Sequence, residues 1–380
     1  MIEGARELKP VARIAVLPVR PVGTARTETV PVVLRATAAE APGARMRVGG
    51  LRVVDRAIRQ LARLRDAHVI VLDDGSVPLP RRLPSNMERR ELARGVGVDA
   101  AVAAIGPEVA AVGADVVWLQ PARFDRGIRV VDGASCRAAT DAVFEELQAG
   151  TVGLVDRLVN QRISSRLTRF LLARLRVTPA LVTLVAGLLG LYGALVVATG
   201  SGPTAALGFA ALEGFVILDG CAGELARLRL QRAAFSEWVD TVVGDVVNVA
   251  TVLAVGLSLW RHGGSYIDMK MALAAAGMTL VYMVISYREL GRQGEGDVMK
   301  LRWWFAYGQT LRGMSGAGSH TIKAVLLLGR RDVVVFLAIG LAYFDQLPVV
   351  LLYMLIIAIV RAVGALGQLL TPAWRLRPPV

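Results

Sequence analysis

Residues 217–227 read ILDGCAGELAR and residues 235–245 read FSEWVDTVVGD. Both acidic stretches sit within long apolar runs, and that setting decides the fold. A charged side chain inside a membrane span is costly, so it faces a polar interior or a ligand. On a helix, Asp219, Gly223, Ala226 and Arg227 fall at i, i+4, i+7 and i+8 and share one face. Ser236, Asp240 and Gly244 share a face of the next helix in the same way. Both faces lie near the same end of their spans, so the two helices can enclose one polar cavity.

The surrounding sequence is strongly apolar. Hydrophobic residues make up 54% of the 380 residues, and the mean hydropathy is +0.51, too apolar for an ordinary soluble protein. From about Thr178 the apolar residues come in blocks of roughly twenty, the length that crosses a bilayer core of ~30 Å. Six spans are predicted, over 178–199, 203–223, 237–260, 269–289, 322–344 and 346–369. The fifth contains Arg330, Arg331 and Asp332, so its first part is expected outside the hydrocarbon or in a polar cavity.

The formal net charge is +13, and its distribution orients the chain. The 200–203 connection carries no charge, whereas 224–232 and 288–321 are rich in Arg and Lys, and the tail holds Arg375 and Arg377. Cytoplasmic loops are enriched in Lys and Arg. The basic excess is therefore read as cytoplasmic loops of a membrane protein, not as a nucleic-acid surface, with both termini cytoplasmic. Cys136 and Cys221 show no paired spacing and suggest neither a disulfide framework nor a zinc site. His68, His262 and His320 are isolated and read as structural.

Residues 152–177 place apolar residues at helical spacing with six arginines between them, the pattern of an amphipathic helix in the membrane interface. Trp303 and Trp304, among basic residues, read as an interfacial anchor. Residues 1–150 alternate short apolar runs with charges and read as an α/β domain with a parallel sheet. Arg13–Leu17, His68–Leu72, Ala100–Ile105 and Asp115–Leu119 are the candidate strands, and Leu51–Leu64 is a candidate helix.

The two acidic stretches resemble the signature of the CDP-alcohol phosphotransferases, D-x2-D-G-x2-A-R-x8-G-x3-D-x3-D. Asp219, Gly223, Ala226, Arg227, position 236 and Asp240 match it in spacing. The string from Asp219 to Arg227, the TPALVT of 178–183 and the RRD of 330–332 are similar to the subgroup making inositol-phosphate lipids, which often carries an N-terminal cytidylyltransferase domain. The resemblance covers about 150–370 clearly and 1–150 weakly. It implies an α/β nucleotidyltransferase-like domain over 1–150, a juxtamembrane amphipathic helix over 151–177, and an all-α, six-span CDP-alcohol phosphotransferase-like domain over 178–380.

The resemblance also implies a chemistry. A phospho-alcohol group would pass from a CDP-alcohol or CDP-lipid to a hydroxyl acceptor such as inositol phosphate, releasing CMP. Asp219 and Asp240 would hold Mg2+ or Mn2+, which neutralise the diphosphate. Gly223, Ala226 and Ser236 would lie against the nucleotide, and Arg227 would pair with phosphate. Arg330 and Arg331 are candidates for the acceptor phosphate or for the membrane interface. The resemblance further implies a homodimer in the plasma (inner) membrane.

The departures from the signature bear on activity. Its second aspartate is Ala222 here, its second glycine Ser236 and its fourth aspartate Gly244. By the resemblance, these remove a metal ligand and the general base. Glu224 and Asp245 are nearby carboxylates, but one residue along a helix is a rotation of ~100°, so Asp245 serves as base only if it turns inward. In the N-terminal domain the run 17–26 (LPVRPVGTAR) has two prolines where a phosphate-cradling loop needs N–H donors. Two readings stay open: a transferase of reduced activity, and an inactive relative that binds nucleotide, lipid or a partner protein.

Overall fold

The computed structural model describes residues 32–62, 68–92, 96, 98–105, 110–118, 127–149, 155–174, 177–230, 234–294, 296, 298, 301–306 and 328–370. The predicted strand Arg13–Leu17, the 17–26 loop, His320 and the C-terminal tail lie outside them. The chain divides into two compact units, one of residues 1–146 with 228–230, the other of the remainder.

The first unit is built on a parallel sheet. Strands β1 (Val32–Ala36), β4 (Val69–Asp73), β5 (Met87–Glu91) and β6 (Ala110–Gly113) pair in the order β5-β4-β1-β6. All three pairings are parallel, with Val32 opposite both Val69 and Ala110. Every residue of β4 is buried, which accounts for its unbroken apolar run. β5 at the edge reads MERRE and is mostly exposed, and its charges discourage further strand pairing. Between these lie α1 (Ala41–Arg45), the short strands β2 (Arg47–Val48) and β3 (Leu51–Arg52), and α2 (Val53–Leu61). β2 and β3 join through Gly49 and Gly50, at φ 59° and 78°. Two successive left-handed residues make the tight hairpin turn that only glycine adopts readily. Val53, Val54, Ala57, Ile58 and Leu61 form the buried face of α2.

One expected strand is wrong. Residues 98–105 (VDAAVAAI) form a helix, α3 (Val98–Ile105); the alanines favour helix over strand. The strand expected from Asp115 is β7 (Val116–Trp118), which pairs antiparallel with β8 (Gly127–Arg129) instead of joining the main sheet. Helix α4 spans Gly133–Ala149.

The second unit is helical. A π-helical turn, Asp156–Asn160, leads into α5 (Gln161–Arg174). Then come α6 (Pro179–Thr199), α7 (Gly202–Leu228), α8 (Ala234–Arg261), α9 (Tyr266–Gln293), α10 (Arg331–Tyr343) and α11 (Leu347–Leu370). Thr178 caps α6 by accepting from Leu181 N, with Pro179 in the first turn. Ser265 and Asp268 form a capping box on α9, and Gly294 closes its far end in the left-handed conformation.

Among the described residues, five helices (α6, α7, α8, α9 and α11) are long and apolar enough to cross a membrane. The chain is thus an integral membrane protein. The sixth expected span, 322–344, is represented only by the 13-residue α10; residues 322–327 lie outside the described set.

α6 packs on α8, and α9 on α8 and α11. The approaches are close. A Cβ on Gly193 would meet Gly208 O at 2.8 Å, and one on Gly256 would meet Ala272 Cβ at 2.2 Å.

The face α5 buries is polar. Asn160 before it and Gln161, Ser164, Ser165 and Thr168 within it are buried, while Leu158, Ile163 and Phe170 are exposed beside Arg162, Arg166 and Arg169. Exposed apolar residues interleaved with arginine fit a helix lying in a membrane interface. Trp303, expected as an interfacial anchor, is buried and stacked between Tyr282 and Phe305. Trp304 stays partly exposed and donates from Nε1 to Gly364 O at 2.8 Å.

Candidate functional site

α7 and α8 bring the acidic signature to the start of α10. Arg331, the first residue of α10, donates from Nη2 to Asp219 Oδ2 at 2.8 Å. Its guanidinium also lies over the Phe215 ring, 4.6 Å from the centroid, a cation–π arrangement. Arg331 reaches this place because Gly244 has no side chain. A Cβ at 244 would stand 2.6 Å from Arg331 Nη1. The position where the signature has its last aspartate is therefore bare, and an arginine from another helix fills the space beside it.

The other carboxylates have separate partners. Asp245 Oδ2 accepts from Tyr287 OH of α9 at 2.8 Å. Glu224 Oε1 accepts from Ser164 Oγ at 2.8 Å and from Ser165 Oγ at 3.1 Å. Glu224 thereby ties α7 to α5. Ala222 is buried in an apolar cluster with Val182, Cys221 and Leu225. Asp240 is half-buried on α8, and its neighbour Thr241 donates to Gly296 O at 2.9 Å. Ser236 lies in the first turn of α8.

Arg227 is exposed and folds back on its own helix, its Nε donating to Gly223 O at 3.1 Å; Ala226 precedes it on α7. Arg330 faces away from Asp219. It donates to Asp332 Oδ1 at 2.9 Å and to Asp156 Oδ2 at 3.1 Å. The adjacent arginines of the RRD run thus serve different partners. The structure brings together Asp219, Gly244 and Arg331, and it sends Arg330, Glu224 and Asp245 elsewhere.

The residues present do not fit a pair of divalent cations. Two of the four signature positions carry no oxygen ligand, and Asp219 is bonded to a guanidinium. Among the described residues, no three His, Cys, Asp or Glu side chains converge to hold a metal. Asp219 Oδ1 is buried and accepts no hydrogen bond among the described residues.

Four participants were missed in the sequence. Phe215 and Tyr287 look like ordinary span residues. Thr241 carries no signal of its own. Arg361 was legible as a charge inside the most apolar span. It donates to Gly329 O at 2.5 Å and, with Arg331, lines a cavity of about 40 Å³ between Phe215, Asn248, Thr251 and Met354.

No protein-family profile matches the chain. Over 107 residues it is 32% identical to a bifunctional IPC transferase and DIPP synthase of Aquifex aeolicus (strain VF5). The aligned part is 28% of this chain and 24% of that protein, so the chain matches about a quarter of its relative's length. The likeness is partial, and the five apolar helices mark the chain as an integral membrane protein.

Proposed function

We propose that the chain is a CDP-alcohol phosphotransferase-like membrane protein that binds a CDP-lipid or CDP-alcohol without transferring its phospho-alcohol group. The observation that carries this is the Arg331–Asp219 ion pair beside the side-chain-free Gly244. Arg331 gives one donor to Asp219 and keeps others that can reach phosphate oxygens, with which arginine pairs readily. It does not supply the open coordination positions of metal-ion catalysis. Glu224 and Asp245, the carboxylates available to replace the lost ones, are bonded to serines and a tyrosine. In this reading Arg331 and the exposed Arg227 meet the ligand's phosphates, and Gly223, Ala226 and Ser236 leave room for the nucleotide. In this reading the protein is a homodimer in the plasma (inner) membrane, with the site on the cytoplasmic side.

A second reading, a transferase of low activity, is favoured by the likeness to the Aquifex aeolicus transferase. It uses Asp219 and Asp240 as metal ligands and Asp245 as base, and requires Arg331 to leave Asp219 when substrate binds. The two readings are separated with purified full-length protein in detergent. CMP release is measured from a CDP-alcohol panel with hydroxyl acceptors, in Mg2+, Mn2+ or EDTA, beside binding of the same CDP compounds. Binding that survives EDTA with no CMP release is the expected result. Metal-dependent CMP release establishes the second reading, and loss of all CDP-compound binding leaves a membrane scaffold.

A further inference from the structure

A second charged centre lies apart from the Asp219–Arg331 pair. Glu213 is near the middle of α7, inside a candidate membrane span, and its side chain is only 8% exposed. Both of its carboxylate oxygens are buried without a hydrogen bond among the described residues. Asn160, the last residue of the π-helical turn, is 2% exposed, and both its amide atoms are likewise unpaired. The Asn160 amide lies beside the Glu213 carboxyl. Two adjacent side chains with four unmet polar atoms are costly in a membrane domain.

Charge defines what would meet them. Asp156, Asp332 and Arg331 are the charged groups that act on Glu213. Arg330 is shared between Asp156 and Asp332, and Arg331 is bonded to Asp219. Among the described residues, Asp156, Asp332, Asp219 and Glu213 thus face Arg330, Arg331 and, beside Asp156, Arg227, and none of the three is bonded to Glu213. The unmet demand is for positive charge. A single carboxylate with one amide oxygen is too sparse for a divalent ion, which takes six or more oxygens or keeps its waters. The π-turn adds a local reason, since single π-turns concentrate at functional sites.

We propose that Glu213 and Asn160 form a binding site for a small monovalent cation, sodium or potassium, between α7 and the turn that precedes α5. The ion neutralises the intramembrane carboxylate and ties the π-turn to α7. This does not depend on the nucleotide-binding reading, and its readout is stability alone.

The experiment measures the thermal midpoint of the purified full chain in NaCl, KCl and choline chloride at one ionic strength. Sodium or potassium is expected to raise the midpoint saturably over choline, by about 5 °C once the ion is ~100-fold above its Kd. Glu213→Gln, which keeps the shape and removes the charge, is expected to abolish the rise. Asn160→Asp adds a second carboxylate and is expected to create a response to calcium. Equal midpoints of the wild-type chain in all three salts overturn the proposal and identify Glu213 as a protonated structural residue. So does a rise of the same size in Glu213→Gln. The wild-type comparison decides the matter even if a variant fails to fold.

Discussion

Arg331 bonds Asp219 across two helices at 2.8 Å, and it stands where a side chain at Gly244 would have to be. Removing the guanidinium leaves a mostly buried carboxylate without its counter-charge. Arg331→Ala is expected to destabilise the protein by about 1–3 kcal/mol, because the cost of breaking such a pair lies mainly in the charge left behind. The double variant Asp219→Asn, Arg331→Gln should lose less than the sum of the singles, with a coupling of ~1 kcal/mol. Denaturant titration of the four proteins measures it; additive losses would refute the pairing.

Restoring the signature should restore metal affinity before anything else. In Ala222→Asp, Gly244→Asp, the new carboxylates lie near Asp219, one in an apolar cluster and one against Arg331. The double variant is expected to be less stable than wild type in EDTA and to recover several degrees of thermal midpoint in Mn2+. The wild-type midpoint should not respond to Mn2+. CMP release by the double variant alone would show what the cavity was built for.

The Asp245–Tyr287 bond is tested by Tyr287→Phe. Losing a charged acceptor's donor in a part-buried site should cost about 1–2 kcal/mol. Asp245→Asn, which keeps an acceptor, should cost less. Thermal unfolding of both variants orders them, and the reverse order would assign Asp245 to a different partner.

Close helix contact at Gly256 makes a steric prediction. Gly256→Val puts a side chain into Ala272, and overpacking of this kind costs ~1–3 kcal/mol. Ala272→Gly in the same chain should recover part of that loss. An unaffected midpoint in Gly256→Val would mean that α8 and α9 are less closely packed than described.

In the first unit, burial pushes the Asp115 carboxyl up from its usual 3.8 even though Arg129 pairs with it at 2.7 Å. With a folded-state pKa above the unfolded one, the folded chain binds more protons, so this group's contribution to stability falls as pH rises from 3.8 through the raised value. Asp115→Asn should flatten that segment of the stability–pH curve relative to wild type. An unchanged slope between the two proteins would exclude Asp115 as its source.

Much of this fold is legible in the sequence because the bilayer imposes a length. The predicted span 178–199 differs from α6 by one residue at its start, and 346–369 differs from α11 by one residue at each end. α7 runs five residues past its predicted end, to Leu228, because ELARL favours helix well after apolarity fails. The strand at 100–105 was misread because a short apolar run carries no period. The candidate site is less legible. Spacing put Asp219 and Gly244 on facing helices, but no local pattern aims Arg331, more than a hundred residues on, at Asp219. Nor does spacing show that Glu224 and Asp245 already have partners. Those facts depend on which helix packs against which.

The tether of Arg331 has a last consequence. A metal ion at a carboxylate comes and goes with the concentration of the free ion around it, whereas a guanidinium on the same backbone is always present at one copy per site. Asp219 therefore keeps its neutralising charge through any swing in cellular magnesium. What is given up is exchange: the cation can move aside, but it cannot be traded for another.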